Sequence, residues 1–321
     1  MEMISPKVLS FCIPTLGQPE QVRQTLESLL GQDMDGVEIV IRDDNSDTET
    51  ERTVAEYMAR LPIRYFHMSK ESVDRAFLFL SKEAKGTFVW WFGDDMLEPG
   101  AMARVLGLLR QNPNIDFMYV NSTDLSGENY SVRPGGSRYF VDRNEVIAKL
   151  KDQLGFCSAI LFKRETLSLG LIKAESCVGT FWVTFFLVLH VLASGKTFYF
   201  LDGRNFLSET KPAGEARWYD PFLVHGINFA FVARKFNGHF DRRTMRKMLG
   251  AKFSRSWRAV IVERALGFTT GFAAATPRWA KMFKLYWNYP ELYMAIPMLL
   301  TPRPVLRGMY SLYRKIGSMW G

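Results

Sequence analysis

From Val8 to Asn121 short apolar runs alternate with amphipathic stretches. "VLSFCIP" (8–14) reads as a buried strand. In "PEQVRQTLESLLGQ", Val22, Leu26, Leu29 and Leu30 fall on one helical face, with Pro19 near the start and Gly31 past the end. "VEIVIRD" (37–43), "IRYFHM" (63–68), "TFVWWFG" (87–93) and "DFMYVN" (116–121) read as further strands. "TETERTVAEYMARL", "SVDRAFLFLSKEAKG" and "GAMARVLGLLRQNP" read as the helices between them. Continuous apolar strands alternating with helices predict an α/β fold whose mostly parallel sheet is covered by helices on both faces. Further on, "CSAILFK" (157–163) and "TFYFL" (197–201) predict two more strands. "FWVTFFLVLHVLASG" (181–195) is apolar all round and too short to span a bilayer, so a buried helix is expected. After about residue 220 the pattern turns helical, basic and aromatic.

Charge sharpens this division. Residues 233–321 hold 17 Lys+Arg against 3 Asp+Glu, a balance of +14; the whole chain is +8, so residues 1–232 carry −6. An acidic first part and a basic second part imply two jobs, and we place the expected boundary between 1–205 and 206–321. Cys12, Cys157 and Cys177 are odd in number, widely spread and set in apolar surroundings, which suits a reducing compartment better than a disulfide framework. The start "MEMISPKVLSFCIP" has no basic segment ahead of a long apolar one, so no signal peptide is expected. A cytoplasmic location follows as the expectation.

Ligands of parallel α/β sheets bind at the carboxyl ends of the strands. Three polar stretches fall there: Pro14-Thr15, Asp43-Asp44-Asn45-Ser46 and Asp94-Asp95. Carboxylates accept hydrogen bonds from a pyrimidine base and from ribose hydroxyls, a task suited to Asp43 and Asp44. The adjacent Asp94 and Asp95 follow a wholly apolar strand, and their repulsion calls for a cation. A hard divalent ion, Mn²⁺ or Mg²⁺, held by one or two carboxylates and a diphosphate, would meet that need. Arg75, opening the third helix, could add fixed positive charge near the phosphates. Each feature also has a plainer reading: a turn and helix cap for Asp43–Ser46, a helix-entry cap for Asp94-Asp95, a surface residue for Arg75. The Trp90-Trp91 pair and His190 read as core.

Taken in order and spacing, these stretches resemble glycosyltransferase family 2, the inverting enzymes of GT-A fold that use nucleotide sugars. The resemblance covers roughly residues 7–203. It rests on "FCIPTLGQPEQVRQTLESLLGQ", "VEIVIRDDNSDTET" and "GTFVWWFGDDMLEPGAM", the last like the family's Asp-x-Asp strand end. The resemblance implies that Thr15 and Asp43 or Asp44 contact base and ribose, that Asp94 faces ribose or metal, and that Asp95 faces the metal. It implies transfer from a pyrimidine nucleoside-diphosphate sugar to a hydroxyl of a glycan or lipid-linked acceptor, as in surface-polysaccharide and lipopolysaccharide synthesis. Two departures stand out. Leu16-Gly17 replace the family's usual Tyr-Asn after Pro-Thr. Where many members carry a Glu-Asp pair supplying the catalytic base, counting back from Gly195 reaches Val183-Thr184; the nearest upstream acid is Glu175. A sugar-1-phosphate nucleotidyltransferase is the alternative enzyme, but "IPTLGQPEQVR" lacks a glycine-rich phosphate loop. A non-catalytic GT-A scaffold at the membrane is the alternative from outside enzymes.

The basic second part carries no helix-turn-helix, zinc or RNA-recognition signature, so nucleic acid is not the expected partner. "MFKLYWNYPELYMAIPMLLTPRPVLRGMYSLYRKIG" interleaves Trp, Tyr, Met and Leu with Lys and Arg and is broken by prolines. With Trp279 just before it, this pattern predicts a peripheral contact with an anionic membrane surface, at the inner face of the plasma membrane. Packing on the first part, or self-association into a homo-oligomer, is the structural alternative.

Overall fold

The computed structural model describes residues 7–208, 220, 222–267 and 276–317. The chain forms two compact units, Met1–Thr210 and Lys211–Gly321. In the first, β1 (Leu9–Thr15), α1 (Pro19–Leu29), β2 (Val37–Asp43), α2 (Glu49–Ala55), β3 (Ile63–His67), α3 (Val73–Glu83) and β4 (Phe88–Trp91) follow the alternation predicted from the sequence. Then come β5 (Met96–Leu97), α4 (Ala101–Gln111), β6 (Phe117–Val120), β7 (Thr123–Asp124), β8 (Arg138–Tyr139), α5 (Arg143–Leu150), β9 (Ile160–Lys163), α6 (Arg164–Ser168), α7 (Leu171–Ala174), α8 (Val183–Ser194), β10 (Phe198–Leu201) and β11 (Phe206–Ser208).

The main sheet runs in the order β3-β2-β1-β4-β9-β6-β10-β8. The pairs β3-β2, β2-β1, β1-β4 and β6-β10 are parallel. β9 lies between β4 and β6, antiparallel to both, and β8 closes the far edge antiparallel to β10. The sheet is therefore mixed and mostly parallel, as expected, with β9 and β8 as its antiparallel members. An apolar run marks a buried strand but carries no direction. β1, β2, β4 and β6 are almost wholly buried, in keeping with their largely apolar sequences. Trp90 and Trp91 are core residues whose indole N–H groups donate to the Ser158 carbonyl and the Ser81 hydroxyl, at 2.8 and 3.1 Å. Burial without a lost hydrogen bond follows.

At the amino end of β2, Glu38 is fully buried. Its carboxylate accepts from Ser10 Oγ (2.6 Å), the Lys85 backbone N–H (2.6 Å) and Arg64 (3.2 Å). Burial alone would raise its pKa, but these donors and the nearby Lys7 outweigh it and hold the group below the ordinary glutamate range.

A second sheet, β5-β11-β7, follows directly from the Asp94-Asp95 turn. The side chains of α1 hold that turn: Thr25 Oγ1 donates to the Asp95 carbonyl (2.9 Å), and Leu97 N–H donates to Ser28 Oγ (3.0 Å). Helix α8, predicted as a buried helix, has nine of its twelve residues buried.

The second unit is helical: a π-helical turn at Phe222–Asn228, then α9 (Phe229–Arg234), α10 (Arg242–Leu266), α11 (Thr276–Tyr286), α12 (Pro290–Leu300) and α13 (Arg303–Gly317). α12 and α13 both pack on α10. Tyr286 is fully buried, stacks on Phe253 at 4.3 Å and donates to the Gly226 carbonyl at 2.6 Å. Arg264 on α10 donates to the carbonyls of Leu299 and Thr301, satisfying the orphaned end of α12. Among the described residues no helix is long and apolar enough to cross a membrane.

Candidate active site

Three strand ends meet by register. Thr15 pairs with Asp43 across β1 and β2, and Cys12 pairs with Trp91 across β1 and β4. β4 ends at Trp91, so Asp94 and Asp95 follow three and four residues past the strand, beyond its carboxyl end. Pro14, Thr15, Asp43, Asp44, Asp94 and Asp95 therefore share one end of the sheet.

Asp43 is fully buried yet organises both loops around it. Oδ1 accepts from the backbone N–H groups of Gly17 (3.3 Å) and Asn45 (3.2 Å), and Oδ2 accepts from the Tyr65 hydroxyl (2.9 Å). An ionised carboxylate offers about four acceptor sites, so capacity for one further donor remains. Burial first, then the bond to Asp43, pushes the Tyr65 phenol well above its usual range, so it stays a donor. Gly17 sits at φ +60°, and a Cβ there would stand 2.5 Å from the Asn45 amide nitrogen. The close approach of these two loops explains why glycine occupies position 17. Beside them Thr15 is buried, and its Oγ1 has no hydrogen-bond partner among the described residues.

Asp44 sits differently. Both its oxygens are held by Arg42, at 2.5 Å (Nε–Oδ1) and 3.2 Å (Nη2–Oδ2). Arg42, only 2% exposed, also reaches Glu71 at 2.5 Å and the Arg75 carbonyl at 3.3 Å, and lies over the Phe79 ring. The Asp43-Asp44 pair thus divides into a loop organiser and half of a buried ion pair.

Asp95 is buried at the turn after β4. Gly93 N–H donates to Ser158 Oγ at 2.9 Å, and a Cβ on Gly93 would come within 3.3 Å of that oxygen and 4.0 Å of Asp95 Oδ2. Burial and then the fields of Asp95 and Asp94 push the neighbouring Cys157 thiol up to about 12. Among the described residues no group of three or more His, Cys, Asp or Glu side chains is placed to hold a metal. Two adjacent hard carboxylates fit an ion of the Mg²⁺ or Mn²⁺ kind that takes its other ligands from diphosphate and water. The donor set does not fit a closed structural metal centre.

Arg75 and Glu175 are brought together as an ion pair, with Lys82 3.6 Å from the other Glu175 oxygen. Asp74, the residue before Arg75, ties the same two segments together. Its buried carboxylate accepts from the backbone N–H groups of Gly179 (2.8 Å), Phe181 (2.9 Å) and Val183 (3.1 Å), capping the start of α8. Burial raises its pKa despite these bonds. Phe181 has φ +67°, unusual for a bulky side chain, and the Asp74 bond helps to hold it there. Val183 and Thr184, where the family places its Glu-Asp pair, are both buried at this helix start.

Arg42, Tyr65, Asp74 and Ser158 were not singled out from the sequence. Arg42 had a signal: an arginine in a buried strand, two residues from Asp44 and so on the same face. Asp74 and Ser158 act across long chain separations and had none.

A mixed, mostly parallel sheet with helices on both faces is a GT-A-like architecture. The model of glycosyl transferase family 2 matches residues 10–171, half of the chain, and the protein belongs to that family. Curated relatives include an uncharacterized glycosyltransferase of Rickettsia felis, 28% identical over 124 residues, which are 38% of this chain and 20% of that one. Another, from Haemophilus influenzae, is 29% identical over 114 residues, 35% of this chain and 38% of that one. The matched segments span well under half of both relatives. Among solved structures, S. aureus TarS 1–349 in complex with UDP superposes with a TM-score of 0.62 at 16% identity, covering 94% of this chain and 86% of that one. The mannosyltransferase PcManGT from Pyrobaculum calidifontis, in complex with GDP-Man and Mn²⁺, does so with a TM-score of 0.51 at 14% identity, covering 98% and 89%. At these identities the likeness is one of fold.

Proposed function

We propose that the protein is an inverting, metal-dependent glycosyltransferase that moves a sugar from a pyrimidine nucleoside diphosphate to a hydroxyl of a glycan or lipid-linked acceptor. The observation that carries this reading is the pairing of Thr15 with Asp43 at the ends of β1 and β2, with Asp94-Asp95 following the end of the neighbouring parallel strand β4. Thr15 Oγ1, buried and without a partner, is supplied with one by a base or ribose group. Asp43 accepts a further hydrogen bond while keeping both loops in place. Asp94 and Asp95 would hold a divalent ion, which when bound neutralises the departing diphosphate. Arg75 adds a guanidinium that can exchange its carboxylate partner for a phosphate.

Inversion requires a base on the face of the sugar opposite the leaving group. With Val183 and Thr184 in the family's usual position, Glu175 is the carboxylate we assign. Diphosphate binding to Arg75 would release one of its oxygens to take the acceptor's proton. A TarS structure carrying UDP-GlcNAc and the PcManGT structure carrying GDP-Man support a nucleotide-sugar donor in this fold. The choice of pyrimidine rests on the Thr15–Asp43 pair alone. One specific observation favours the non-catalytic alternative: the buried, apolar start of α8.

Release of nucleoside diphosphate from a panel of nucleotide sugars, with and without Mn²⁺, tests the reading. Metal-dependent release from a UDP-, CDP- or dTDP-sugar supports it. Binding without release under every condition favours the scaffold. Peripheral attachment at the inner face of the plasma membrane belongs to the same reading, because a lipid-linked acceptor is reached from a membrane surface.

A further inference from the structure

The second unit exposes large apolar side chains in a register that its own packing does not explain. On α12, Leu292, Ala295 and Leu299 are buried, while Tyr293 and Leu300 stand 57% and 65% exposed on the other side. On α13, Leu306 is buried, while Val305, Met309 and Leu312 are exposed at the i, i+4, i+7 spacing of a single face. Trp287, just past α11, is 64% exposed. With Met294, also exposed, seven such residues within 26 positions exceed the scatter of lone apolar residues normal on a soluble surface.

Charge selects what covers them. Residues 276–317 contain seven Lys+Arg and a single acid, Glu291. That acid is turned onto α10: a Cβ on Gly250 would stand 2.6 Å from its Oε1. Lys281, Lys284, Arg303 and Arg307 are exposed among the apolar residues. A protein partner of ordinary composition would meet unopposed positive charge there, and a nucleic acid would meet apolar faces with little to hydrogen-bond. An anionic lipid surface satisfies both components, taking cations at its headgroups and aromatic and aliphatic side chains just beneath. α11 and α12 have eleven residues each, too short to span. The Trp279 side chain lies outside the described residues.

We infer that the exposed faces of α11–α13 form a docking surface for anionic membrane, used by lying on the bilayer rather than crossing it. The inference gives a lipid-linked acceptor its location, but the binding does not depend on the transfer reaction. α11–α13 also build the core around Tyr286 and Leu292, so substitution at exposed positions is a cleaner test than truncation.

The full chain is floated with vesicles of phosphatidylcholine alone and with vesicles containing 30% phosphatidylglycerol, roughly the anionic content that draws basic segments. The wild type should partition onto the anionic vesicles, weaken with salt, and retain measurable binding at high salt through the inserted side chains. Trp287→Glu/Leu300→Glu/Met309→Glu should lose at least tenfold in partitioning while keeping its melting temperature and its nucleotide binding. No binding of the wild type to anionic vesicles at low salt overturns the inference. So does equal binding by the triple variant, or a wild-type dimer that the triple substitution dissociates while vesicles are ignored. Nucleotide binding followed in the same samples separates failure of this surface from failure of the donor site.

Discussion

Arg75 and Glu175, one hundred residues apart in sequence, form an ion pair at the N-terminal end of α3. One was singled out as a phosphate contact and the other as a base, each on separate grounds. Their pairing makes the two assignments competitive: the Arg75 Nη1 that holds Glu175 Oε2 can turn to a diphosphate only by giving up that bond. Asp74 reinforces the link by capping α8 from the adjacent position on α3.

Glu175→Gln separates the two uses of this pair. As a base, Glu175 contributes about 10²- to 10⁴-fold, so kcat should fall by that range with little change in donor KM. Arg75→Ala should mainly raise donor KM. Steady-state kinetics on both variants checks this; if both shift donor KM alike and spare kcat, Glu175 only positions Arg75 and the base lies elsewhere.

Asp44 and Asp43 should fail in different ways. Asp44→Ala leaves Arg42 buried with only Glu71 opposite it, at a cost of about 3 kcal/mol in stability. Adding Arg42→Leu should recover much of that loss, because an apolar side chain needs no counter-charge. Asp43→Asn keeps the shape of the loop and should lower nucleotide affinity at least tenfold with a small stability change. Denaturant unfolding and nucleotide titration on the three proteins decide between these outcomes.

Much of this site could be read in the chain because strand ends are marked by chemistry. A run such as "TFVWWFG" is buried, and the aspartates after it must face a ligand or a partner. Register followed from the same runs, so the convergence of Thr15, Asp43 and Asp94 was legible in outline. Direction was not: β9 enters antiparallel because of the path of residues 121–159, which hydrophobic patterning does not encode. β5, β7 and β8 have two residues each, too few for any period to show. Asp44 illustrates the other limit. Its place at a strand end suggested a ligand, but nothing in that place shows that Arg42 also holds its carboxylate.

Glu38 gives the fold a pH dependence with a definite sign. Its folded pKa lies below the ordinary glutamate value of about 4.3, so its stabilisation is complete above that value and is lost as pH falls through the folded one. Glu38→Gln should cost about 2 kcal/mol at pH 7, by weakening the charge-assisted bonds from Ser10, Arg64 and the Lys85 N–H. The gap between wild type and variant should hold down to about pH 5 and narrow as pH falls further, through the folded pKa. Urea midpoints across that range measure it; a gap that widens toward acid would show that Glu38 is buried protonated.

The most direct test takes wild type and Asp95→Asn and follows nucleoside diphosphate released from UDP-, CDP-, dTDP- and GDP-sugars, each with Mn²⁺ and with chelator. Asn keeps the size of the side chain at the turn held by Thr25 and removes the charge a divalent ion needs. We expect the wild type to release product from at least one pyrimidine donor with Mn²⁺ and none with chelator, and Asp95→Asn to lose at least a hundredfold while its melting temperature stays within about 4 °C. Release that is indifferent to chelator, or equal in the two proteins at saturating Mn²⁺, would contradict a metal-dependent transferase centred on Asp95.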